Sequence, residues 1–237
     1  MKLLFLLLNA AKLGKILTTG GTMLLSVFAY SFLFGWRYAA GFVALMFVHE
    51  MGHYLAAKRE GLNVGAPTFI PFVGAWIQLK DQPVDARQEA YIGLAGPLLG
   101  TLGALLCFFL GRNYDNALLL AISYSGFFLN LVNLVPVLPF DGGRVTAAIS
   151  PKIWFVGVPI LIAMSIYNPS PIFILIALLA LPSMWRAWKG SIGEQAHYYD
   201  VPLATRTRFA LVYFALLVFL GMMTYELHQE LPRAGFN

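Results

Sequence analysis

Apolar runs free of Asp, Glu, Lys and Arg recur along the chain at residues 16–36, 90–111, 116–140, 153–185 and 209–225. Each approaches or exceeds the roughly 20 residues that cross a bilayer as a helix. A sixth run, 38–57, is as apolar but contains His49, Glu50 and His53. The run 153–185 is too long for one crossing and is interrupted by Asn168, Pro169, Ser170 and Pro171, which predicts two short helices joined by a tight turn. The pattern therefore predicts about seven transmembrane helices, or six if that run crosses once. Residues 1–11 look like a signal peptide, but the apolar core is brief and is followed by Lys12 and Lys15, so an interfacial first helix is expected.

Between the second and third helices, residues 61–88 carry Pro67, Pro71 and Pro83, which argue against a further helix. Strand-forming residues around Gly74, within 68–80, predict a short hairpin dipping into the membrane edge. Such backbone must be buried in protein or line a cavity, because lipid offers it no hydrogen bonds. The expected fold is a single all-α polytopic membrane domain with one small membrane-embedded β-hairpin. A core of about residues 11–152 would be followed by C-terminal helices in 153–237.

Composition agrees with this pattern. Of 237 residues, 59% are hydrophobic and 11% charged, with a mean hydropathy of +0.72; a soluble globular domain carries about a quarter charged residues. The net charge of +5 does not point to nucleic acid, because the basic residues stand singly or in pairs between apolar runs. With the N-terminus in the cytoplasm, 13 of the 16 Lys and Arg residues fall on the cytoplasmic side, leaving Arg37, Arg112 and Arg233 outside. The only cysteine, Cys107, excludes an intramolecular disulfide and any cysteine-rich metal site.

The chemistry lies in Val48-His49-Glu50-Met51-Gly52-His53. On a helix His53 lies about 40° round from His49 and Glu50 about 100°, so the three share one face. Two imidazoles one turn apart can grip one zinc ion, and the carboxylate between them can take a proton from water at that metal. Ionisable residues in a membrane helix are costly and mark functional sites. A catalytic zinc takes three protein ligands, and Asp141 leads the candidates for the third. It closes the apolar run in Asn133-Leu-Val-Pro-Val-Leu-Pro-Phe-Asp141-Gly142-Gly143-Arg144. Alone, Asp141 would read as a helix N-cap or a partner for Arg144; beside the histidine pair the ligand reading prevails.

The His49–His53 motif, Leu94-Ala95-Gly96-Pro97-Leu98 on the third helix and the segment from Asn133 to Gly142 together resemble, in order and rough spacing, the three signatures of the site-2 protease family of intramembrane zinc metalloproteases. The resemblance implies that His49, His53 and Asp141 bind one zinc ion and that Glu50 is the catalytic acid/base. It also implies that Asn133 lies beside the substrate or oxyanion. By the same resemblance, residues 69–79 are a membrane-embedded hairpin, with Phe69, Gly74 and Trp76 the candidates to meet a substrate strand. Expected partners are the lipid bilayer and single-pass membrane-protein substrates, cut within the membrane near the cytoplasmic face. Phe140 stands where family members often carry Leu. The length leaves no room for PDZ or CBS domains, so substrate selection by such modules is not expected.

Gly93, Gly96, Gly100 and Gly103 would let a neighbouring helix approach the third. His197, Tyr198, Tyr199 and His228 read as interfacial residues. Two rival readings compete with the protease: a prenyl-protein peptidase using Glu194 or Glu226 as third ligand, and a non-catalytic helix-binding or metal-transport protein. The aspartate motif argues against the first. The clustering of polar groups at one depth, with all four key residues present, argues against the second.

Overall fold

The computed structural model describes residues 2–167, 176–178, 180–182, 184–185 and 197–231, with side chains from residue 17 onward except Met164. The chain has no proline before Pro67, and residues Lys2–Phe34 form one continuous helix, α1, where a separate interfacial helix was expected at the N-terminus. Gly35, at φ 79°, breaks it and leads directly into α2 (Trp36–Arg59). The predicted hairpin follows as β1 (Thr68–Ile70) and β2 (Gly74–Trp76), paired antiparallel in the register Thr68↔Trp76, Phe69↔Ala75 and Ile70↔Gly74.

The remaining elements are α3 (Ala86–Asn113), α4 (Ala117–Asn133), α5 (Asp141–Ile149), a 3-10 turn over Pro151–Ile153, α6 (Trp154–Tyr167) and α7 (Leu203–Glu230). Asp85 caps α3 by accepting from Gln88 N, and Asn116 caps α4 by accepting from Leu119 N. The apolar run 116–140 is not one helix. Pro136 and Pro139 cannot continue it, so α4 ends at Asn133 and an irregular loop, 134–140, carries the chain to Asp141. The expected turn at Asn168 to Pro171 lies outside the described residues; α6 ends just before it, and helical residues resume at 176–178.

Among the described residues, three helices are long and apolar enough to cross a membrane: Leu17–Phe34 of α1, α3 and α7. At 24 residues α2 has the length but also carries Arg37, Glu50, Lys58 and Arg59. The helix α3 is central, packing against α2, α4, α5 and α7. Leu94 and Ala104 of α3 share a core with Leu120 and Phe127 of α4 and with Tyr213, Leu216 and Leu220 of α7. Facing outward are large apolar side chains such as Phe28 and Phe32 of α1, Leu102 and Phe109 of α3, and Leu211 and Val218 of α7. An apolar exterior over a core containing ionisable residues is the arrangement a bilayer requires.

The segment before α7 does more than sit at an interface. The Tyr198 carbonyl accepts from Ala86 N at 2.8 Å and its hydroxyl donates to the Glu89 carboxylate. Val201 is buried with Ala86, Ala90 and Ala148. Burial and the adjacent carboxylate hold the Tyr198 phenol above its ordinary pKa. This loop ties the starts of α3 and α7 to α5.

Candidate metal centre

Two helix crossings and one loop assemble the site. His49 and His53 project from one face of α2, and between them Gly52 meets α3: a Cβ at Gly52 would overlap the Ala95 carbonyl oxygen. On α3 a Cβ at Gly96 would overlap His53 Nε2. Each helix thus presents a glycine where the other comes closest. Gly93, Gly100 and Gly103 meet Arg144, Asn130 and the Leu45–Val48 pair in the same way, so the expected close approach along this face of α3 is observed. Asp141 arrives as the first residue of α5, whose N-cap is Phe140 rather than Asp141 itself.

The four key side chains are all buried, with His49 4%, Glu50 7%, His53 8% and Asp141 6% exposed. Buried groups of this kind require partners. His53 Nδ1 donates to the Ile92 carbonyl at 2.8 Å, and His49 Nδ1 lies 2.8 Å from Asn130 Oδ1. Both Nδ1 atoms are therefore engaged away from the centre, and both Nε2 atoms point into it. The two Nε2 atoms are 3.1 Å apart, and Asp141 Oδ2 is 3.1 Å from one and 3.2 Å from the other. With protons on Nδ1, the neutral imidazoles present lone pairs at Nε2, so three acceptor atoms face one another at the corners of a near-equilateral triangle.

A divalent cation resolves that repulsion. Ligands about 2.0–2.1 Å from a tetrahedral zinc ion stand about 3.3 Å from each other, close to the observed edges. The triangle therefore has the edge lengths that two imidazoles and one carboxylate holding a zinc ion would show. The ligating atoms of His49, Glu50 and His53 all lie within 4.8 Å of one another. Glu50 therefore sits beside the triangle without being needed as one of its corners.

Other sequence candidates fall elsewhere. Asn133 lies at the end of α4, and its amide donates to the Leu129 carbonyl at 3.0 Å. Phe69 is 1% exposed, packed with Tyr30, Val43 and Met46, and anchors the hairpin. Trp76 on β2 is 49% exposed. The edge of β1 is occupied by α1: Phe69 N donates to Thr22 Oγ1 at 3.3 Å and Phe72 N to the Tyr30 hydroxyl at 3.1 Å. Gly74 holds φ 127° and Phe72 φ 64°, the positive values that close the turn. Of the rival third ligands, Glu226 is exposed on α7 and Glu194 lies outside the described residues. Asn130 was missed; its signal is a carboxamide in the last turn of an apolar helix.

Residues 37–116 match the family profile of Peptidase family M50, which bears out the resemblance to site-2 proteases. Among curated proteins, a zinc metalloprotease of Methanocaldococcus jannaschii is 30% identical over 110 residues, 44% of this chain and 32% of that protein. A chloroplastic protein of Arabidopsis thaliana, named as a probable zinc metalloprotease, is 33% identical over 78 residues, 31% of this chain and 14% of that protein. The chain therefore aligns with about a third or less of the length of these relatives.

Proposed function

We propose that this chain, with its family M50 segment over residues 37–116, is an intramembrane zinc metallopeptidase that hydrolyses a peptide bond in the transmembrane segment of a membrane-protein substrate. The observation that carries the reading is the triangle of His49 Nε2, His53 Nε2 and Asp141 Oδ2 with the buried Glu50 beside it. One zinc ion per chain is held by these two imidazoles and one carboxylate.

Zinc in this donor set supplies Lewis acidity, which makes water nucleophilic near neutral pH and polarises a peptide carbonyl. Glu50 takes the proton from the attacking water and returns it to the leaving amine. His49 and His53, held at Nδ1, keep their rings fixed during the reaction. Asn133, immediately before the loop that delivers Asp141, is available to bond the substrate backbone or the developing oxyanion.

A substrate helix must unwind before its carbonyl can be attacked. The β2 edge supports a route for that. Phe69 donates outward to α1, so Phe69↔Ala75 is a pair without mutual hydrogen bonds, and the Ala75 N–H and C=O face outward on the other side. An extended substrate segment adds there as a third strand, with Gly74 and Trp76 flanking it. The basic-residue count supports about seven crossings, a cytoplasmic N-terminus and an active site near the cytoplasmic face.

The experiment is substrate trapping. The Glu50→Gln protein, expressed in its own membrane, should retain uncut single-pass proteins that also accumulate when the wild-type protein is absent. Recovery of the same proteins by Glu50→Gln and by the His49→Ala, His53→Ala double variant in cleaved form would refute the assignment.

A further inference from the structure

We propose that Asn130 is a positioning residue that fixes the ring orientation and tautomer of His49 and thereby presents Nε2 to the metal, an inference that rests on the zinc reading above. Asn130 lies in the last turn of α4 and is 1% exposed, so its amide has no access to bulk water. Its Nδ2 donates to the Gly126 carbonyl at 2.7 Å, one turn back along the same helix. A carbonyl can only accept, so this bond decides which end of the amide is nitrogen and turns Oδ1 toward His49 Nδ1. Oδ1 also only accepts. The proton of a neutral His49 therefore resides on Nδ1, and the lone pair on Nε2 points at Asp141 and His53.

The third wall of this arrangement is α3. A Cβ at Gly100 would overlap Asn130 Oδ1, so the amide fills space that only a glycine leaves open and has no room to swing away. His53 donates the equivalent bond to the Ile92 backbone carbonyl, which no side-chain substitution removes. His49 depends on a side chain, and the zinc site is therefore sensitive to that single position on α4. Partners of this kind around metal-bound histidines are worth about 10- to 100-fold in metal affinity.

A purely space-filling Asn130 makes the opposite forecast. Leucine has the same number and branching of side-chain heavy atoms as asparagine and suits an apolar helix, whereas aspartate would bring a buried charge. The test uses the full-length protein in detergent, stripped of metal and titrated with Co²⁺ against a competing chelator, with the visible absorption of cobalt as readout. Thermal unfolding of the metal-free protein is followed in parallel. Asn130→Leu should unfold no earlier than wild type when metal-free yet bind Co²⁺ about 10- to 100-fold more weakly. Asn130→Asp, which keeps the acceptor, should stay within about threefold of wild type. Gly100→Ala, which leaves α4 unchanged and drives a methyl into Oδ1, should reproduce the loss seen with Asn130→Leu. Wild-type affinity in Asn130→Leu, or equal losses in Asn130→Leu and Asn130→Asp, would overturn the role. Failure of the wild-type protein to take up Co²⁺ would instead overturn the metal site itself.

Discussion

The Tyr213 hydroxyl of α7 donates to the Leu134 carbonyl at 2.6 Å, and both residues are buried. Leu134 opens the loop that ends at Asp141, so the C-terminal helix holds the segment that delivers the Asp141 carboxylate. Tyr213→Phe leaves a buried carbonyl without its donor, a loss of about 1–3 kcal/mol. Zinc should then be lost to a chelator several-fold faster than from wild type. Leu220→Val, in the same core but away from the loop, should lower stability by about 1 kcal/mol with no change in the rate of zinc loss.

The crossing of α2 and α3 is set by Gly52 and Gly96. Gly96→Ala places a methyl where His53 Nε2 lies, so either the imidazole or the helix must move. Overpacking of this kind costs about 1–3 kcal/mol. Purified Gly96→Ala should therefore show much reduced zinc by elemental analysis while keeping its helical circular dichroism. An unchanged zinc content would mean that His53 is not a ligand.

Gly74 occupies φ 127°, where any side chain is strained. Gly74→Ala should distort the hairpin and impair cleavage of a single-pass substrate at least tenfold, yet leave zinc content at the wild-type level, because the hairpin contributes no ligand. Equal losses of zinc and activity would point to general unfolding rather than a substrate edge.

Orientation is testable at Trp76, which is half-exposed on β2. On a Cys107→Ser background, Trp76→Cys should react with a membrane-impermeant thiol reagent from the cytoplasmic side. Reaction from the opposite side alone would reverse both the topology and the route by which water and substrate reach the site.

Much of the site was legible because its chemistry is local. His49, Glu50 and His53 share a helix face by spacing alone, and Asp141 stood out as an acid at the end of an apolar run. The hairpin announced itself through Pro67, Pro71 and Gly74. What the sequence withheld depends on how the helices cross. Nothing in the sequence from His53 to Phe69 tells which hairpin edge is free; that follows from Thr22 and Tyr30 reaching over from α1. Asn130 looked like one polar residue among many until α4 was packed against α2. Hydropathy alone also overran the end of α4, since residues 134–140 are as apolar as a helix but hold two prolines. At the N-terminus the lysines suggested a separate interfacial segment, whereas the backbone continues without interruption into α1.

In the proposed mechanism a single zinc ion held by His49, His53 and Asp141 works with Glu50 to hydrolyse peptide bonds. Titrating the metal-free, detergent-purified protein with zinc while following cleavage of a labelled single-pass substrate tests it most directly. Cleavage should rise with added zinc and level off at one ion per chain. Glu50→Gln should bind the same single ion and cleave nothing above background, and Asp141→Asn should bind zinc weakly. Zinc-independent cleavage, or turnover by Glu50→Gln at the wild-type rate, would rule this mechanism out.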